Sequence, residues 1–115
     1  MFSKLYIDFK SKGNLLIVEL SGELDHHSAQ EVRVKIDDRL DRFNIKKLVF
    51  DFSEVSFMDS SGIGVIIGRY KKISMRNGVV AIASVSRSIK RIFELSGMFK
   101  VINVYSTVDE AVASI

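Results

Sequence analysis

The chain has no cysteine among its 115 residues. Disulfides, thiol catalysis and thiolate metal sites are therefore excluded, and the composition fits a reducing compartment. It has no proline, repeat or low-complexity tract, so no linker divides it. Histidine is scarce: His26 and His27 are the only two. No apolar run approaches the ~20 residues that a membrane span needs. Met1 to Lys10 holds no apolar core of signal-peptide length, and Asp8 interrupts it. A cytoplasmic chain without a membrane partner is the expectation. Net charge is only +3. Arg33, Lys35 and Arg39 alternate with Asp37, Asp38 and Asp41, which reads as a solvated helix face and not as a nucleic-acid footprint.

What is present is ordinary globular material: 47% apolar and 27% charged residues. This is enough for one compact domain over residues 1–115 and too little for two. Leu5, Ile7 and Phe9 alternate as a half-buried strand, and Leu15 to Leu20 is a nearly continuous apolar strand after a turn at Gly13. A loop is expected from Ser21 to His27. Ser28 and Glu31 have the spacing of a capping box, opening a helix that buries Ala29, Val32, Ile36, Leu40 and Phe43. Leu48 to Phe52 is the next strand, and a loop over 53–61 follows. Ile63, Ile66, Ile67, Tyr70 and Ile73 mark a second helix, stopped by Asn77-Gly78. Val79 to Ala83 is a strand, Ile89, Ile92 and Phe93 mark a helix closed by Gly97, and Val101 to Tyr105 is a last strand. Thr107 and Glu110 form another capping box before Val108, Ala111, Val112 and Ile115. The order β-β-α-β-α-β-α-β-α predicts an α/β fold. It is a mostly parallel mixed sheet of about five strands with about four helices and one antiparallel hairpin strand. In such a sheet the loops leaving strands for helices gather at one edge, so 21–27 and 53–61 should be neighbours.

That edge carries Phe57-Met-Asp-Ser-Ser-Gly62. A serine at a strand-to-helix turn suits a hydrolase nucleophile, and a histidine from the neighbouring loop could approach it. The residues are D-S-S-G-I-G and not G-x-S-x-G, and nothing else supports a triad. Gly62-Ile-Gly64 with Gly68 resembles a dinucleotide fingerprint of altered spacing, but the acid expected after the next strand is missing, because Ala83 runs into Ser84. Gly64 and Gly68 read better as a flat helix face that lets the helix approach the sheet. Asp25, His26 and His27 are too few and too divergent for a metal. Asp59, Ser60 and Ser61 stack three potential N-caps where one suffices. A serine at a helix N-terminus also suits phosphorylation, since free backbone N–H groups and the helix dipole favour the phosphate.

Gly-Glu-Leu-Asp-His-His at 22–27 together with Ser-Phe-Met-Asp-Ser-Ser-Gly at 56–62 resembles the anti-sigma factor antagonists of the STAS domain family. The sporulation members that act on the anti-sigma-F factor are the nearest in pattern. Gly-Arg-Tyr-Lys-Lys at 68–72 and Leu-Ser-Gly-Met-Phe-Lys at 95–100 extend the similarity along almost the whole chain. The resemblance implies a partner-switching protein and not an enzyme. The unphosphorylated form would bind an anti-sigma factor that is a serine kinase and so release a sigma factor. Phosphorylation of Ser60, with Ser61 as the fallback acceptor, would end binding, and a serine phosphatase would restore it. The kinase would bring ATP and magnesium; the chain itself would need no cofactor or metal. Glu23, Asp25, His27, Asp59, Ser61 and Gly62 are the candidate partner-binding residues, with Glu23 and Asp25 forming an acidic rim. The same module in another stress or signalling pathway is an alternative, as is a small nucleotide-binding or hydrolytic enzyme using Ser60.

Overall fold

The computed structural model describes residues 4–115; residues 1–3 of the expected domain lie outside the described residues. Five strands and four α-helices follow in order: β1 (Leu5–Lys12), β2 (Leu15–Leu24), α1 (Ala29–Arg42), β3 (Lys47–Met58), α2 (Ser60–Ser74), β4 (Val79–Ala83), α3 (Arg87–Ser96), β5 (Asn103–Tyr105) and α4 (Val108–Ser114). A 3-10 turn, Met98–Lys100, leads into β5. The strands lie side by side in sequence order. β1 runs antiparallel to β2, and every other pairing is parallel. A sheet that grows steadily in one direction by right-handed crossovers puts all its crossover helices on the same face. The main core accordingly joins Leu16, Val18 and Leu20 of β2 and Leu48, Phe50 and Phe52 of β3 to residues of α1, α2 and α3. Only α4 lies on the other face. Small residues there, Ala81, Ala83 and Ala111, let this seven-residue helix settle on Val49.

The longest departure from the sequence reading is in β2 and β3. β2 continues to Leu24 and β3 to Met58, so most of the two expected loops is strand. The alternation in β3 breaks after Phe52 because the strand carries two bulges. Glu19 pairs with Asp51, Ser21 with Glu54, Gly22 with Val55, Glu23 with Phe57 and Leu24 with Met58. Two extra residues in β3 re-aim its side chains, so Phe52, Val55 and Met58 point inward while Phe57 is 47% exposed. The last strand is shorter than expected, because Val101 and Ile102 belong to the approach from the 3-10 turn.

Other expectations also change. Phe43 is not part of α1's buried stripe: it is the C-cap and half exposed, whereas Val32, Ile36 and Leu40 are buried. The Ser28–Glu31 capping box does not form, since the Ser28 hydroxyl makes no cap bond and serves the preceding turn instead. At α4 the Thr107 hydroxyl does accept from Glu110 N, at 3.1 Å. Gly64 and Gly68 do not face the sheet, because a Cβ at either would meet nothing within 4 Å.

A charged seam joins α1 to α2. The Arg69 guanidinium is buried and lies 2.9 Å from Asp37 Oδ1. That approach is Coulombic, for neither atom meets hydrogen-bond geometry and Arg69 Nη1 has no hydrogen-bond partner. Burial pulls the Arg69 pKa down, and Asp37 opposes the shift. Lys72 Nζ reaches Asp41 Oδ2 at 3.0 Å, Arg76 pairs with the same carboxylate, and Arg76 Nη1 donates to Leu40 O at 2.8 Å. These donors hold the Asp41 carboxyl below its ordinary range.

The bulged register makes two phenylalanines of one strand diverge in energetic weight. Phe52 is fully buried against Phe50 and Phe93, so Phe52→Ala is expected to cost about 3–5 kcal/mol. Phe57→Ala is expected to stay within about 1 kcal/mol. Urea unfolding of the two variants checks this; similar losses would mean that the register is wrong.

Candidate functional site

The site is the place where the β2 and β3 ladders stop together. Leu24 and Met58 are the last partners, so the turn at 25–28 and the start of α2 emerge side by side. Asp59 N donates to Leu24 O at 3.3 Å. Asp59 is the N-cap of α2, in extended conformation. Its Oδ1 accepts from Ser61 N at 2.9 Å, and its Oδ2 accepts from His26 N at 3.1 Å. One carboxylate therefore caps the helix and fastens the neighbouring turn to it. Of the three stacked cap candidates, Asp59 is the one used. The cap also occupies the Ser61 amide, one of the N–H groups that a phosphate was expected to find free.

Ser60 is the first residue of α2 and is exposed. Its hydroxyl makes no hydrogen bond among the described residues. Ser61 is only partly exposed. Gly62 is buried, and a Cβ there would lie 2.5 Å from Met58 Cγ and 2.8 Å from Leu24 O. The close-approach glycine of this helix is thus Gly62, not Gly64 or Gly68. It lets the first turn of α2 sit directly on the end of β2.

The turn at 25–28 is built by Asp25 and Ser28, both buried. Asp25 Oδ1 accepts from His27 N at 2.9 Å and from Ser28 N at 3.1 Å. The Ser28 hydroxyl accepts from Asp25 N at 3.0 Å and donates to Glu23 O at 2.8 Å. Burying the carboxylate is tolerated because backbone donors surround it. Asp25 is consequently not part of an exposed acidic rim; it fixes the turn. Glu23 is partly exposed at the end of β2, and Ser56 Oγ donates across to Gly22 O at 3.2 Å. His26 and His27 are both exposed, with ring centroids 5.5 Å apart, edge to face. From sequence His26 reads only as a base or a metal ligand; the bond its backbone makes between the loops appears only in the three-dimensional pairing.

A serine nucleophile needs a base within hydrogen-bond reach. Among the described residues neither imidazole bonds Ser60 or Ser61, and the Asp59 oxygens hold backbone amides. The arrangement instead displays two neighbouring hydroxyls without hydrogen bonds among the described residues, that of Ser60 exposed and that of Ser61 partly covered, at an edge that Asp59 fastens. Also among the described residues, no helix is long and apolar enough to cross a membrane, and no group of three or more acidic, histidine or cysteine side chains could hold a metal ion.

Comparison with known proteins gives a consistent picture. The STAS domain family model matches residues 6–111. The anti-sigma F factor antagonist of Paenibacillus polymyxa is 41% identical over 101 residues, covering 88% of this chain and 86% of that protein. The structure of the anti-sigma factor antagonist SpoIIAA in its unphosphorylated form superposes with a TM-score of 0.83 at 27% identity, covering 93% of both chains. The phosphorylated form of the Bacillus cell fate determinant SpoIIAA matches with a TM-score of 0.76 at 26% identity, covering 95% of this chain and 98% of that one.

The double role of Asp59 has a measurable consequence. Asp59→Ala removes the cap and the bond to His26 N, and is expected to cost about 0.5–2 kcal/mol. Amide exchange at both Ser61 and His26 should accelerate. Asp59→Asn keeps one acceptor oxygen and replaces the other with an NH2 donor, so it should restore one of the two amides and not both. Protection unchanged at His26 in Asp59→Ala would mean that the loops are held by the ladder alone.

Proposed function

The chain belongs to the STAS domain family, and from that membership we propose that it is an anti-sigma factor antagonist switched by phosphorylation of Ser60. Its relatives are anti-sigma factor antagonists. The observation that carries the reading is the exposed, unengaged Ser60 hydroxyl at the N-terminus of α2, beside the turn that Asp59 fastens to it. In its unmodified state the edge formed by Glu23, His27, Ser61 and the first turn of α2 binds an anti-sigma factor that is a serine kinase. Asp25, Asp59 and Gly62 shape that edge from beneath. Binding frees the sigma factor, and the resemblance to the anti-sigma F factor antagonist supports sporulation as the setting. The kinase then transfers a phosphoryl group to Ser60, binding ends, and a serine phosphatase resets the cycle. The whole chain, 1–115, acts as the module, in the cytoplasm.

Incubation with ATP and the cognate kinase, followed by location of the added mass, tests the acceptor. Incorporation at Ser60 and its loss in Ser60→Ala is the expected result; Ser61→Ala should still be modified. Label on neither serine would sink the switch. Ser60 is not the helix cap, so Ser60→Ala should fold normally, bind the kinase and leave the sigma factor constitutively active. A folded Ser60→Ala that cannot bind would make the hydroxyl a contact and not merely the acceptor.

Glu23 offers a second check. Complementary charges across an interface mainly set on-rate and partner choice. Glu23→Lys is expected to lower the kinase association rate with an unchanged circular dichroism spectrum. Unaltered association at low salt would put this strand end outside the interface.

A further inference from the structure

A phosphate on Ser60 would enter a site with little to balance it. The stretches that build the site, residues 20–31 and 53–68, contain no lysine or arginine. They carry Glu23, Asp25, Glu31, Glu54 and Asp59. The only side chains in them able to gain positive charge are His26 and His27.

The two histidines are held differently. His26 N is bonded to Asp59 Oδ2 at 3.1 Å, which ties this residue to the one preceding Ser60. His27 N is bonded to Asp25 Oδ1, and His27 lines a groove with Lys4, Ser28 and Glu31. The two histidine ring centroids lie 5.5 Å apart. His26 is the one fastened to the Ser60 side.

Resting on the reading of Ser60 as the acceptor, we propose that His26 is the counter-charge of the phosphorylated serine, its imidazolium pairing with the phosphate dianion across the junction that Asp59 closes. The second ionisation of a phosphoserine lies near pH 6, and an ordinary imidazole titrates near pH 6.5. Pairing favours the charged form of each, raising the imidazole pKa and lowering that of the phosphate. Asp59 and Glu23 at the strand ends, Asp25 in the turn, Glu31 on α1 and Glu54 on β3 also favour the imidazolium, and they oppose the dianion. Lys4 at the start of β1 and His27 act the other way on both. The mark thus keeps its full second charge to lower pH than the acidic surroundings alone would allow, and the pairing fades as pH rises through the imidazole titration.

The test uses the full chain with phosphoserine installed at position 60 by genetic encoding, so no kinase is involved. Phosphorus and imidazole carbon resonances are followed between about pH 5 and 8. Exposed ion pairs correspond to shifts of roughly 0.2–0.7 pH unit. The His26 midpoint should rise by that amount relative to the unmodified protein, and the His27 midpoint by less. His26→Gln, which retains the backbone bond to Asp59, should raise the phosphate midpoint, while His27→Gln should leave it nearly in place. Coincident His26 curves in the two forms, or a larger shift at His27, would overturn the assignment. Failure of a kinase to mark Ser60 would sink the functional reading separately, without altering the outcome of this titration.

Discussion

The parallel ladder between β2 and β3 sets where the functional edge can be. Two neighbouring parallel strands deliver their carboxyl ends to the same edge, and the segments entering α1 and α2 must leave from there. Here the ladder runs past the Glu19–Asp51 pair to Leu24 and Met58, absorbing two extra residues in β3 on the way. Had the pairing stopped where alternation stops, two long loops would need ordering, at about 1–2 kcal/mol of backbone entropy per residue. The bulges replace that flexibility with interstrand hydrogen bonds. What remains between the strands and their helices is short enough for one carboxylate, that of Asp59, to join both sides.

The same ladder fixes α2 from its first turn. Gly62 allows the helix to rest on Leu24 and Met58, while Val65, Ile66 and Ile73 continue the buried face. The seam to α1 adds Arg69, Lys72 and Arg76 against Asp37 and Asp41. Exposed members of such a seam contribute little individually; removing the buried Arg69 would leave the partly exposed Asp37 with Lys72, 3.7 Å away, as its remaining cation. On the outward face the fold supplies no packing reason for Gly64 or Gly68. Each costs a helix interior about 0.5–1 kcal/mol relative to alanine. Their effect is a smooth strip of backbone running away from Ser60, so a body approaching that serine along α2 meets main chain before side chain.

Much of the architecture is legible in the sequence because burial is periodic. Leu16, Val18 and Leu20 alternate, Val32, Ile36 and Leu40 recur at helical spacing, and Asn77-Gly78 and Gly97 terminate helices where they should. The β3 extension was illegible for a definite reason: bulges turn the inward positions into Phe52, Val55 and Met58, a period of three that matches no strand template. Phe43 misled because a hydrophobic residue in helical register can still fall at the cap and face water. Ser28 misled because the capping pattern does not reveal that Asp25 N and Glu23 O will compete for its hydroxyl. At the edge itself, Asp59, Ser60 and their neighbourhood to the 25–28 turn follow from motif and topology. The burial of Asp25, the role of Gly62 and the His26–Asp59 bond do not, since each depends on atoms more than local in sequence.

The electrostatics of this edge suit a mark that is read by a partner and not by the fold. A site rich in lysine or arginine would cancel an added phosphate and bury its signal in new internal contacts. This edge has five carboxylates and two histidines, so even with one imidazolium paired to it a phosphate dianion adds net negative charge to what is already displayed. Two unit charges 4 Å apart interact by about 4 kcal/mol at an effective dielectric near 20, which is ample to oppose an approaching surface when water must be removed between them. A loss of about 2.7 kcal/mol corresponds to roughly a hundredfold in affinity. Inside the domain the same charge is partly offset by the helix N-terminus, by about 0.3–1 kcal/mol, and it projects from an exposed residue whose hydroxyl held nothing together. The core beneath, packed on the bulged ladder, therefore has no contact to lose and no reason to move. A fold that stays still while its edge changes charge is a switch whose two states differ only to the molecule that binds it.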